Sequence, residues 1–143
     1  MRIGLSFDLK EKIPLAQSQP EDALEEYDSR ETVEAIARVL RDAGNSTLML
    51  GGGRDFLVNI LQEKVDLVFN IAEGRGNYKG REAQVPSILE MLDIPYVGSD
   101  PQCLSICLDK PLTKQLVEAA GIYTPRWQVV SRKNELKKLS WDD

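Results

Sequence analysis

The feature that most constrains this chain is a rhythm: short apolar runs alternate with stretches of helical period along nearly all of its 143 residues. Residues 2–7 (RIGLSF), 47–50, 65–71 (VDLVFNI) and 94–97 read as strands. Between them, apolar residues recur at i, i+3, i+4 and i+7, the mark of helices with one inward face. The run 65–71 is almost continuously apolar, as expected of a strand covered on both faces. Such alternation predicts an α/β fold, a Rossmann-like parallel sheet with helices on both faces and right-handed crossovers. Ligands of such sheets bind beyond the carboxyl ends of the strands. Three segments gather at that edge: the loop after the first strand, Asn70 to Arg81, and Gly98 to Asp100.

Punctuation residues place the helices. A polar, proline-containing loop runs to about Tyr27, and Asp28 or Ser29 caps a helix, with Glu31 in capping-box position to Asp28. Its apolar face is Val33, Ile36, Ala37 and Leu40, and Gly44 ends it. A second helix over 55–62 is expected to turn Phe56, Leu57, Ile60 and Leu61 inward, and a third carries Val85, Ile88, Leu89 and Leu92. Ser99 or Asp100 caps the next, with Pro101 at its first position, where a missing N–H costs nothing. Asp109 caps a last helix bearing Leu112, Leu116, Val117 and Ala120, and Trp127–Val130 reads as a further strand.

Composition narrows the function classes. Apolar residues make up 42% and charged residues 29%, as in ordinary globular domains. No apolar run approaches the roughly 20 residues a membrane span requires, and the N-terminus enters a strand without a visible signal peptide, so the cytoplasm is the expected compartment. A net charge of −5 argues against a nucleic-acid partner, and the basic stretch Arg132–Lys138 is diluted by Glu135. The chain has no histidine, which removes histidine-based triads and general bases. Cys103 and Cys107, four apart on one helix face, lack companions for a zinc site and are expected as reduced, mostly buried thiols. No metal site is expected within the chain.

The stretch Gly74–Gly80 has GxGxxxG spacing after the third strand, a weak match to the GxGxxG dinucleotide fingerprint that follows a first strand. Gly51–Gly53 reads as a connector. Glu73, Arg75, Arg81 and Glu82 bring both charges to one glycine-rich loop, a set suited to an amino acid's ammonium and carboxylate, or else to ordinary surface ion pairs. Lys110 falls in the first turn of a helix, where the dipole disfavours a cation by about 0.3–1 kcal/mol. It either points to solvent or meets an anion together with free helix N–H groups.

Read in order, Asp66–Gly74 (DLVFNIAEG), Arg81–Pro86 (REAQVP), Ile94–Pro101 (IPYVGSDP), Leu108–Lys114 (LDKPLTK), Ala120-Gly121 and Thr124-Pro125 closely resemble the N-terminal domain of D-alanine–D-alanine ligases and their ATP-grasp relatives. The resemblance covers about residues 30–130 and implies a pre-ATP-grasp domain over 1–130, with 131–143 as linker or the start of a further domain. It implies an ATP-dependent carboxylate–amine ligase of peptidoglycan biosynthesis, acting through an acylphosphate, with ATP and Mg in the full-length enzyme and none expected on this domain alone. It implies an amino-acid-like substrate, a missing C-terminal ATP-grasp domain and a homodimer. By the same resemblance Lys110 reaches ATP phosphate, and Glu73, Gly74, Arg75, Arg81, Glu82 and Ser99 face the substrate. No catalytic residue is expected within this chain, which alone is expected to be inactive. Family members carry His-Gly where this chain has Glu73-Gly74, so the substrate need not be D-alanine. A free-standing binding module of the same fold is the alternative.

Overall fold

The computed structural model describes residues 1–14 and 22–138, so residues 15–21 of the first loop and 139–143 of the C-terminal segment lie outside the described residues. Four strands, β1 (Arg2–Ser6), β2 (Ser46–Gly51), β3 (Leu67–Asn70) and β4 (Tyr96–Val97), form one parallel sheet in the order β2-β1-β3-β4. The helices α1 (Arg30–Asp42), α2 (Gly53–Gln62) and α3 (Gln84–Met91) make the crossovers, and α4 (Pro101–Leu108) and α5 (Lys110–Ala119) follow the sheet.

This order fixes where the helices lie. The chain leaves β1 in one direction along the sheet and later returns past it in the other. With right-handed crossovers, α1 must then cover one face and α2 and α3 the opposite one. Two separate cores show this. Leu5, Phe7 and Leu9 pack with Val33 and Ala37 of α1, while Leu50, Val68 and Ala72 pack with Phe56 and Ile60 of α2 and Val85 and Leu89 of α3. Leu5, Leu50, Val68 and Leu89 have no exposed surface.

The caps follow from short polar side chains, in extended backbone at Ser29 and Asp100. Ser29, not Asp28, caps α1: its Oγ accepts from the Thr32 N–H at 3.1 Å, so the capping-box reading with Glu31 does not hold. Asp100 caps α4 by accepting from the Cys103 N–H at 2.8 Å, and Asp109 caps α5 through the Leu112 N–H at 3.3 Å.

Three sequence expectations are corrected. Leu57 and Leu61 do not point inward: they are 41% and 71% exposed, because ten residues of α2 present only one narrow stripe, Phe56 and Ile60, to the sheet. Trp127–Val130 forms no strand, since β4 pairs only with β3 and the chain beyond α5 runs outside the sheet. Cys103 and Cys107 are exposed, because α4 buries none of its residues. The apolar residues Leu112 and Leu116 of α5 are also exposed. Among the described residues, no helix is long and apolar enough to cross a membrane.

Candidate functional site

Because the connections diverge on either side of β1 and β3, a crevice opens beyond the carboxyl ends of these two strands. The Ser6 hydroxyl at the end of β1 donates to the Asn70 Oδ1 at the end of β3 at 2.7 Å, and the Ala72 N–H donates to the same oxygen at 3.2 Å. Two residues past β1 stands Asp8, whose side chain is fully buried. Its Oδ2 accepts from the Gly74 N–H at 2.9 Å, its Oδ1 has the Arg75 Nη2 at 3.0 Å, and its backbone oxygen accepts from the Asp28 N–H at 3.0 Å. One buried residue thus joins the first loop to the segment before α1 through its backbone carbonyl and to the glycine-rich loop through its carboxylate. Burial pushes its pKa up, opposed first by the Arg75 guanidinium and then by the Gly74 N–H.

Two glycines permit this closeness. A Cβ on Gly52 would lie 2.0 Å from the Asp8 Oδ1 and 2.7 Å from the Phe7 carbonyl oxygen. Gly74 has φ +79°, and a Cβ there would lie 2.0 Å from the Arg81 carbonyl oxygen. The loop is also held to α3 by Gln84, whose amide accepts from the Arg75 N–H at 2.9 Å and donates to the Arg75 carbonyl at 3.0 Å.

Arg81 is buried among acids. Its Nη2 lies 2.5 Å from the Glu26 Oε2, and its Nη1 donates to the Glu73 carbonyl at 2.8 Å and stands 3.5 Å from the Glu73 Oε2; Glu82 follows at 3.9 Å. Beside it lies a cleft of about 320 Å³ lined by Asp28, Asn70, Glu73, Glu82, Ser99 and Leu104, among others. Burial raises the Glu73 pKa, helped by the neighbouring Glu82 carboxylate and opposed by Arg81. Asp28 is raised by burial and then by Asp8. With Asp28, Glu73 and Glu82 against the single guanidinium of Arg81, the wall carries an excess of acid.

Of the residues singled out in the sequence, the structure brings Glu73, Glu82 and Ser99 to one cleft, with Arg81 behind its wall and Gly74 in the loop that shapes it. Arg75 turns away to Asp8, beside a separate depression of about 770 Å³ shared with Lys12 and Tyr27. Lys110 is the first residue of α5 and is exposed. The preceding Asp109 is held below the usual carboxylate range, chiefly by a hydrogen bond from Lys79 at 2.5 Å, which ties the glycine-rich loop to the start of α5. Among the described residues no group of three or more His, Cys, Asp or Glu side chains is placed to hold a metal ion. Sequence reading missed Asp8 and Asp28. A lone acid just past the carboxyl end of an apolar strand was the available signal for Asp8.

No protein-family model matches the chain. It is 33% identical over 114 residues to the D-alanine–D-alanine ligase of Aquifex aeolicus, covering 80% of this chain and 38% of that protein. It is also 33% identical over 110 residues to the corresponding ligase of Pelotomaculum thermopropionicum, covering 77% of this chain and 34% of that protein. The chain therefore spans little more than a third of the length of these relatives. Crystal structures of Bacillus anthracis D-alanine–D-alanine ligase, one of them complexed with ATP, superpose with TM-scores of 0.63 and 0.62 at 22% identity. Each covers 96% of this chain, while the chain covers 43% and 44% of them, a likeness of fold. In sequence over about 80% of its length, and in fold over nearly all of it, the chain resembles the N-terminal domain of the D-alanine–D-alanine ligases.

Proposed function

We propose that the chain is the substrate-binding N-terminal domain, residues 1–130, of a cytoplasmic ATP-dependent carboxylate–amine ligase, with 131–143 leading into an ATP-grasp domain. The observation that carries this is the acid-walled cleft at the switch point of the sheet, lined by Glu73, Glu82, Asp28 and the Ser99 loop. Carboxylates in a half-buried cleft attract an ammonium group, and their hydrogen bonds to it are charge-assisted. Glu73 and Glu82 take the substrate ammonium, with Ser99 at the rim of the cleft. Arg81 and Arg75 are positioning residues: Arg81 orients Glu73, and Arg75 fixes the loop through Asp8.

In such a reaction ATP supplies a phosphoryl group to a substrate carboxylate, and an amine then displaces phosphate from the acylphosphate to leave an amide. Lys110 fits one part of this: an exposed cation at the start of α5 suits a phosphate oxygen. Magnesium ligands and the remaining phosphate contacts belong to the second domain in this reading.

The test uses the full-length protein and phosphate release with a panel of amino acids. Lys110→Ala is expected to lower ATP use with folding intact. Glu73→Gln is expected to raise the KM for the amino-acid substrate roughly tenfold or more, because a hydrogen bond to a charged group contributes about 1.5–3 kcal/mol. Phosphate release with no amino acid, or unchanged ATP and substrate kinetics in both variants, refutes the reading.

A further inference from the structure

The α4 surface carries a feature that the ligase reading does not use. Cys103 and Cys107 are both exposed, and their sulfurs stand 4.0 Å apart. Residues i and i+4 of a helix project on one side, with Cα atoms about 6 Å apart, inside the range of roughly 4.4–6.8 Å that disulfides span. A regular helix holds the Cβ atoms of such a pair about 5–6 Å apart. A disulfide holds them at roughly 3.5–4.5 Å, so closing the bond to about 2.05 Å also needs the backbone of the unburied last turn of α4 to give. That distortion of the helix leaves the bridge strained, which places it among disulfides that are easily reduced rather than structural ones.

We propose that Cys103 and Cys107 form a reversible intrahelical disulfide and make α4 a thiol-redox site. The co-reactant is a low-molecular-weight disulfide of the glutathione class. The Cys103 thiolate attacks one sulfur of it, breaking that S–S bond, expelling one thiolate and leaving a mixed disulfide on Cys103. The Cys107 thiolate then attacks the Cys103 sulfur, forming the intramolecular bond and expelling the second small thiolate. Two protein thiols are oxidised, one small disulfide is reduced to two thiols, and the two protein protons pass to those thiols. Cys107 is the resolving group because the neighbouring Cys103 sulfur pushes its thiol pKa up, so it ionises late. Its sulfur stands 4.0 Å from the one it attacks.

The bridge would lie along one side of α4, across the helix's last turn. That turn is already fastened to α5, since the Thr113 hydroxyl donates to the Ile106 carbonyl at 2.6 Å. α4 begins at the Asp100 cap beside Ser99 and ends at Asp109, so redox state acts on the helix between the cleft rim and the start of α5.

The experiment incubates the 143-residue chain with oxidised glutathione at mildly alkaline pH, then reads intact mass and iodoacetamide labelling. The expected product is a monomer lighter by the two thiol hydrogens, closed to alkylation, and reopened by dithiothreitol. Cys103→Ser and Cys107→Ser are each expected to stop at a stable glutathione adduct on the remaining cysteine. Persistent glutathione adducts on the unsubstituted chain, disulfide-linked dimers, or two thiols still open to alkylation each overturn the proposal. All of these are read on the unsubstituted chain, so the outcome does not depend on the variants folding or on any ligase activity.

Discussion

Asp8 reaches the segment before α1 through its backbone carbonyl and the glycine-rich loop through its carboxylate, so protonation of that side chain bears on how the glycine-rich loop is held. Burial holds its pKa above the ordinary carboxylate value, so as pH falls the folded chain takes up that proton before the unfolded chain does. The stability linked to this group is complete below the unfolded value and is lost as pH rises through the raised folded one. The stability of the native chain minus that of Asp8→Asn is thus expected to grow from pH 7 down to about 4 in urea titrations. A difference that shrinks over that interval contradicts the assignment. At Gly74 the argument is steric. Left-handed backbone and a methyl group driven against the Arg81 carbonyl should cost Gly74→Ala more than about 2 kcal/mol by the same measurement. A loss under about 0.5 kcal/mol would mean that the loop is not held as described. The site was only partly legible in sequence for the same reason. Glu73, Arg81 and Glu82 stand close along the chain and could be grouped by eye. Asp8 reaches Gly74 from 66 residues away and Glu26 reaches Arg81 from 55, and only the fold reports those separations as contacts.

At the level of single elements, the strands and helix caps were readable because their signals are local. A run such as VDLVFNI, a serine or aspartate before a helix, and a glycine after it each act within a few residues. What local signals do not carry is how much of a helix the sheet can cover. Leu57 and Leu61 of α2 have the spacing of core residues yet stand outside, because the sheet accepts only the Phe56–Ile60 stripe. Phe56→Ala should therefore cost about 3–5 kcal/mol, whereas Leu61→Ser should change stability by less than about 0.5 kcal/mol. Thermal or urea melting of the two variants separates the cases, and a comparable loss in both would return Leu61 to the core. α4 misled in the same way. Its thiols were expected inside because cysteine is commonly buried, but a helix packed along the outside of the fold leaves them in solvent.

For the molecule as a whole, the proposed ligase function makes the cleft a half-site. One wall is made of Glu73, Glu82 and Asp28, Lys110 sits apart on α5, and the stretch shared with the relatives is only 38% and 34% of their length. The chain alone is expected to release no phosphate from ATP above background, with or without amino acids, in a coupled assay. Clear turnover would show that the missing half is not required. The strand order has a further consequence, in time rather than space. β1 leaves the ribosome before the other three strands, yet it lies inside the sheet, and its partner across the Ser6–Asn70 contact lies 64 residues later. At about 5–20 residues per second, that partner arrives roughly 3–13 s after β1 itself. An apolar strand must wait that long unpaired on that side, so nascent chains of intermediate length are the ones most exposed to chaperones and to misassociation.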